Sequence, residues 1–442
     1  MKKIVISGMI GNALEWYDYA LYAQFASIIG RHFFPDSEIR EILTFAVFAA
    51  GFIVRPLGGI FFGNIGDRLG RRAALVIGIL TMAVPTAGIG FLPGYETIGI
   101  AAPIILVVIR LVQGFSLGGE FSGCIAYIVE HAPPEKRGIA GSASFVSMCC
   151  GMLLGLMTAN AFIYFMAEDE LIAWGWRLPF IAGLAIGGVG LYIRTHLSES
   201  PIYKAAKESG MLSKTPLRET LTSYLPQVII AIGIYVTVTA PFYTATVFIE
   251  NFMQTLGYSR SQSSIVGSII LVTMIIGFPI SAIISDKIGR RPVLLVGIIS
   301  LIILVYPIFM ALGSMNYTLA VISQIIFASI IAIYMGPVPT VLVELFPTKV
   351  RFTGVALSYN LSAAVFGGSA PMVGMMLMKF TGNQYALSYY LIALACLSLI
   401  VLFFYKETYK KNLDHSDHVI TPKIDNNGAF KALDGNYGTG KV

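Results

Sequence analysis

Residues 63–72 read GNIGDRLGRR, and residues 285–291 read SDKIGRR. Each is a short charged turn between two apolar runs, with aspartate, glycine and paired arginines in the same order. A second pair of segments repeats too. EHAPPEKR at 130–137 and ELFPTKVR at 344–351 both place an arginine seven positions after a glutamate. One match could be chance, but two in the same order make a duplication. The chain is therefore read as two related halves.

Outward from those turns lie apolar runs long enough to cross a bilayer, which takes about 20 residues each. Twelve are expected: 4–29, 42–63, 73–93, 101–129, 139–165, 177–195, 225–250, 262–284, 292–312, 317–343, 352–379 and 386–405. Composition agrees. Charged residues are 12% of the 442 and hydrophobic residues 56%, with a mean hydropathy of +0.76. A soluble domain averages about 25% charged, so this chain's solvent is lipid. The reading is an all-α membrane protein of twelve transmembrane helices in two six-helix bundles. Residues 1–195 form the first bundle and 223–405 the second. Residues 196–222 are a cytoplasmic interdomain loop. Residues 406–442 form a polar, disordered cytoplasmic tail with no heptad pattern.

The net charge of +6 does not point to nucleic acid, because the basic residues sit in short loops between spans. Seventeen lysines and arginines fall on the side of the N-terminus, Arg194 among them. Only Arg31, Arg40, Arg177, Arg260 and Lys379 fall on the other. Both termini are thus expected in the cytoplasm. Cys124, Cys149, Cys150 and Cys396 lie inside apolar runs and read as packing residues. No metal cluster, cofactor motif or catalytic triad is apparent. The sequence has no G-x-x-x-x-G-K-[ST] loop, which argues against an ATP-driven pump.

The segment from Gly63 to Arg72 resembles the loop signature of the major facilitator superfamily. So does Arg110-Leu-Val-Gln113-Gly114-Phe-Ser-Leu-Gly118-Gly119-Glu120, which is similar to that superfamily's span-four motif. The run from Gly11 to Tyr19, the Arg55-Pro-Leu-Gly-Gly run and the Gly-Gly-Glu ending narrow the likeness. They resemble the metabolite:proton symporters, above all the members that carry proline and betaine. That resemblance covers span one to span twelve. It implies uptake across a bacterial inner membrane by alternating access, with a proton as the co-substrate. It implies no enzymatic activity and a monomer whose partners are solute, protons and lipid. The implied solute is a small zwitterion such as proline or glycine betaine. A small organic anion such as 2-oxoglutarate, citrate or shikimate stays open, and so does a non-transporting membrane sensor.

Charges inside the spans say where coupling is expected. Each costs roughly 2.5–3.5 kcal/mol at bilayer depth, so it persists when paired, wet or functional. Glu15 and Asp18 share one face of span one with Gly11 and Tyr22. Glu15 lies about 16 Å in from Ile4. Two close acids in a low dielectric cannot both ionise cheaply, which makes one a workable proton site. Arg55 and Glu120 lie at similar depth, and a network Glu15–Arg55–Glu120 is expected. Arg110 is too far along its helix to pair with Glu120, and the resemblance gives it a part in proton coupling or in anchoring an anionic group. Gly114 and Gly118 are expected to serve close packing. The second half carries no deep charge. A pocket would draw on Asn12, Trp16, Tyr22, Tyr235, Phe242, Tyr243, Tyr334 and Asn360, because aromatic faces suit an onium ion. The cytoplasmic turns read as gates. Asp67 and Asp286 can cap helices of the opposite half. Arg68, Arg71, Arg72, Arg137, Arg290, Arg291 and Arg351 can join Glu130 and Glu344 in closing that side.

Overall fold

The computed structural model describes residues 2–35, 40–410 and 413. Twelve long helices carry the fold. The first half contributes α1 (Lys2–Phe33), α2 (Arg40–Arg68), α3 (Arg71–Phe91), α4 (Ala101–His131), α5 (Arg137–Phe165) and α6 (Arg177–Thr195). The second contributes α7 (Leu225–Thr255), α8 (Arg260–Ile288), α9 (Arg290–Gly313), α10 (Tyr317–Leu345), α11 (Arg351–Thr381) and α12 (Ala386–Phe404). Ten of the twelve are long and apolar enough by composition to cross a membrane. The other two, α1 and α2, are the helices with Glu15, Asp18 and Arg55 in their middles. Large apolar side chains face outward: Ile53, Val189 and Ile303 are all more than half exposed. Lipid, not water, fits that surface.

Helices pack within halves and, chiefly at two seams, between them. α1 lies on α5, α2 on α4, and α3 on α6; in the second half α9 lies on α10 and α12, and α7 on α12. The seams are α2 on α11 and α5 on α8. A two-fold swap of the halves exchanges one seam for the other.

The duplicated turns have a duplicated backbone. Gly70 ends α2 with φ 115° and Gly289 ends α8 with φ 100°, values that a side chain would strain. Each turn reverses the chain so that the next helix starts on an arginine. Gly63 serves another purpose. A methyl there would stand 2.8 Å from the Thr353 Cα, so its bare backbone allows α2 to close on α11.

Two features depart from the sequence reading. The segment 196–222 is not plain loop. It holds helices Pro201–Glu208 and Pro216–Ser223, each started by a proline at its first turn. The Ser200 hydroxyl caps the first by accepting from the Tyr203 N–H. The beginning of the tail is not loose either. Glu407, Thr408 and Tyr409 bond to the ends of α8, α9 and α10, and Leu413 is buried. The rest of the tail expected to be disordered, residues 411–412 and 414–442, lies outside the described residues.

The helices are also less regular than their apolar pattern. α7 widens into a π turn at Thr244–Phe248 and α11 at Ala363–Gly367. Such turns cluster at working sites. Here one follows directly on Tyr243, and a methyl on Gly367 would stand 2.8 Å from the Tyr243 ring.

Candidate functional site

At the end of the bundle that carries the duplicated turns, the two halves are joined by buried charge. The Asp67 carboxylate accepts the Phe352 N–H at 3.0 Å and the Thr353 N–H at 2.8 Å, at the start of α11. The Asp286 carboxylate accepts the Gly138 and Ile139 N–H groups at 2.8 and 2.9 Å, at the start of α5. Each acid thus caps a helix of the other half, where the unpaired N–H groups and the dipole favour an anion.

Arginines lock each acid in place. Arg71 bridges Asp67 at 2.9 Å and Glu130 at 3.0 Å, and it donates across the seam to the Thr348 carbonyl at 2.9 Å. Arg351 reaches back over the seam to Glu130 at 2.8 Å. Arg290 repeats the pattern with Asp286 at 2.6 Å and Glu344 at 3.3 Å. Arg137 is buried at the foot of α5, and its carbonyl accepts the Thr340 hydroxyl at 2.8 Å. Arg72 and Arg291 do not reach the two glutamates. The Arg72 guanidinium donates to the Thr195 carbonyl, and the backbone N–H groups of Arg72 and Arg291 donate to Glu199 and Glu407. Arg68 offers only its carbonyl, which accepts the Tyr203 hydroxyl at 2.9 Å.

Glu199 and Glu407 were missed in the sequence. They follow α6 and α12, matching places in the two halves, and each receives both N–H groups at the start of a helix, α3 or α9. The same halves comparison that found the arginines would have found them. An outer pair, Lys349 and Glu219 at 2.5 Å, ties the second interdomain helix to the turn before α11. Burial works against the Lys349 charge, but the Glu219 carboxylate and the Tyr224 hydroxyl prevail and hold its pKa above the ordinary lysine range.

At mid-membrane the pattern is a ladder along α1. Glu120 of α4 pairs with Arg194 of α6, which also donates to the carbonyls of Leu75 at 2.6 Å and Ser7 at 3.3 Å. This corrects the expected network: Glu120 belongs to Arg194, a residue counted above as a loop cation but wholly buried in the helix. Gly11 leaves the room that this pair fills. One turn outward, Glu15 faces Arg55 at 4.0 Å. One turn further, Asp18 accepts from Arg110 at 2.6 Å and from Gln113 at 3.1 Å. The Arg110 guanidinium also lies 3.8 Å from the centre of the Tyr22 ring.

The three rungs differ in kind. Glu120 and Asp18 are held by direct, charge-assisted bonds. Neither Glu15 oxygen has a hydrogen-bond partner, and both are buried. Arg55 gives its terminal nitrogens to tyrosine hydroxyls of the other half instead: Tyr359, and Tyr243 at 3.4 Å. Its Nε has no partner.

Rings enclose this pair. Trp16 meets Tyr19 at 5.4 Å, Phe242 at 5.7 Å and Tyr243 at 6.3 Å between ring centres. Phe52 closes the circuit on Tyr19 at 5.5 Å and Tyr243 at 6.0 Å. Phe52 and Tyr359 carry no signal of their own in the sequence. Tyr235 packs behind Tyr359 at 5.1 Å. The cavity beside Asp18 and Arg110 is about 20 Å³, room for a water and no more.

The structure does not bring the remaining pocket candidates into this circuit. The Asn12 amide donates to the Ser144 carbonyl and the Ser147 hydroxyl, fastening α1 to α5. Asn360 donates to the Gly118 carbonyl across the α4–α11 contact. Tyr22 donates to the Thr44 carbonyl and Tyr334 to the Ile234 carbonyl.

Comparison with known proteins places this arrangement. The model of the Major Facilitator Superfamily matches residues 9–370 and 242–432. The glycine betaine/proline/ectoine/pipecolic acid transporter OusA of Dickeya dadantii is 33% identical over 93% of this chain and 85% of its own length. The proline/betaine transporter of Escherichia coli strain K12 is 32% identical over the same shares. Among solved structures, a double-tryptophan XylE mutant superposes with a TM-score of 0.79 over 93% of this chain and 97% of that one, at 19% identity. The inward-open xylose transporter XylE from E. coli superposes at 0.62, over 93% and 98%, at 21% identity. These last two are likenesses of fold.

Proposed function

Since the chain belongs to the major facilitator superfamily, we propose that it is a secondary transporter that carries a small zwitterion, proline or glycine betaine, together with a proton. It works as a monomer in a bacterial inner membrane, crossed many times, with both termini in the cytoplasm. Residues 1–195 and 223–405 act as the two rocking bodies, and 196–222 links them.

One observation supports this reading most: a buried carboxylate and guanidinium that face each other without a direct bond, inside a circuit of aromatic rings drawn from both halves. Glu15 is the carrier of the proton. Its oxygens accept no hydrogen bond, so protonation breaks none. Asp18 and Glu120 would each have to give up a close cation first. The rings offer faces to an onium group, and Arg55 offers donors to a carboxylate. The cytoplasmic charges act as the gate, made and broken as the halves rock.

A dicarboxylate fits less well. It calls for two cations, and Arg110 and Arg194 are already held by acids. The test is uptake into liposomes under an imposed pH gradient, offering labelled proline, betaine and 2-oxoglutarate. Gradient-driven accumulation of the zwitterions is expected, and Glu15→Gln should abolish it. Uptake indifferent to the gradient would end the symport reading.

A further inference from the structure

We infer that Arg55 is a shared counter-ion: the carboxylate of an arriving zwitterion takes it from Glu15, and Glu15 answers by taking up one proton. This rests on the zwitterion reading above and says how solute and proton are tied together.

The geometry carries the argument. Glu15 and Arg55 are each 1% exposed, so neither is compensated by water. They face at 4.0 Å, near enough to balance charge and too far for a hydrogen bond. The other two rungs of the ladder are bonded pairs, at 2.6 Å for Asp18 and Arg110 and closer for Glu120 and Arg194. A pair built only for stability would close in the same way. Instead Arg55 keeps an unpartnered Nε and spends its terminal nitrogens on neutral hydroxyls. Those hydroxyls are weaker acceptors than a carboxylate, so a ligand carboxylate can displace them. The guanidinium also lies 5.4 Å from the centre of the Phe52 ring and 5.2 Å from that of Tyr359. A carboxylate set on Arg55 therefore puts a solute's onium end against the rings of the same circuit.

Charge then forces the proton. Around Glu15 stand Arg55 from α2, Glu120 and Cys124 from α4, Asp18 on its own helix, Tyr235 and Tyr243 from α7 and Tyr359 from α11. Arg194 answers Glu120 and Arg110 answers Asp18, so Arg55 alone answers Glu15. A second carboxylate on Arg55 leaves two anions on one buried cation. A proton on the unbonded Glu15 restores the balance without disturbing either neighbouring pair. The onium charge of the solute is spread toward the rings, away from Glu15. By linkage, protonated Glu15 must in turn favour the carboxylate ligand.

The full-length purified protein tests this by calorimetry of betaine binding in two buffers of different ionisation enthalpy. About one proton taken up per betaine is expected. Betaine affinity should fall roughly tenfold per pH unit once Glu15 ionises in the free protein. Glu15→Gln should bind betaine with no proton uptake and no pH dependence. Choline has the onium group without the carboxylate, and it should draw no proton. In the unmutated protein, betaine should raise an infrared band of a protonated carboxyl group, a readout that needs no variant to fold. Betaine binding without proton uptake would overturn the hand-off and leave the zwitterion reading standing. So would proton uptake that survives Glu15→Gln and vanishes in Asp18→Asn. No binding of betaine or proline would overturn the zwitterion reading, and the hand-off with it.

Discussion

At the end that carries the duplicated turns, Asp67 and Asp286 make the same contacts from opposite halves, each held by an arginine four residues on and capping the neighbour's helix. At mid-membrane, Glu15 and Arg55 have no counterparts: α7 and α8 present Tyr243, Phe242 and Met274 in the core, and no charge. Duplication kept the parts that hold the halves together and let the interior diverge. On the symport reading proposed above, closing needs two seams to meet at once, which symmetry supplies. A proton and a solute would need one meeting place, which symmetry would spoil by making two.

The strongest test of that contrast is to break the ring of charges on one side at a time. Glu130 serves both Arg71 and Arg351, so Glu130→Gln leaves two buried cations short. Removing one partner of a buried pair costs about 3–5 kcal/mol. Glu130→Gln should shift the protein toward the cytoplasm-open form, read as increased labelling of cysteines placed inside the seam. Glu344→Gln should do less, since Arg290 holds Glu344 at 3.3 Å, whereas Arg71 and Arg351 hold Glu130 at 3.0 and 2.8 Å. Equal labelling would mean that the two sides are equivalent after all.

The second test asks whether the outer rungs of the ladder are structural. Glu120→Gln and Arg194→Met should each lower thermal stability by an amount similar to the Glu130 change. The double variant Glu120→Leu with Arg194→Leu should recover most of the loss, because a buried pair exchanged for apolar groups is often neutral. Its gradient-driven uptake should persist. Loss of coupling in a stable double variant would move Glu120 into the coupling machinery.

Smaller effects bound the picture. Gly63→Val drives a side chain into the α11 backbone and should cost about 1–3 kcal/mol of the closed form. The same cysteine labelling should register it. Lys349→Ala removes a half-buried pair at the edge of the fold, worth about 1 kcal/mol, and should leave both labelling and uptake near the unmutated values.

Much of the fold was legible because lipid imposes a length on every apolar run and the turns repeat aspartate, glycine and paired arginines at the same spacing. The capping role of Asp67 and Asp286 was legible too, since an acid beside a repeated arginine turn has few places to go. The ladder was half legible. Charge within a span marks Glu15, Asp18, Arg55, Arg110 and Glu120, but linear spacing does not say which helices cross at that depth. Arg194 was lost for that reason: it sits at the last turn of a short span and reads as loop, while its guanidinium is buried against Glu120 and the Leu75 and Ser7 carbonyls. Rings were the least legible. With 22 tyrosines and 28 phenylalanines, Phe52 and Tyr359 are singled out only by what packs on them.

The packed start of the tail has a practical corollary. Thr408 bonds to Glu344, Tyr409 to the Asp286 carbonyl, and the Leu413 carbonyl receives Thr348 and Arg351. Any fluorescent fusion or affinity handle placed after Leu413 therefore follows a segment bonded to the ends of α8 and α10 and the start of α11. On the rocking cycle proposed above, a reporter there should sense each change at that end of the bundle.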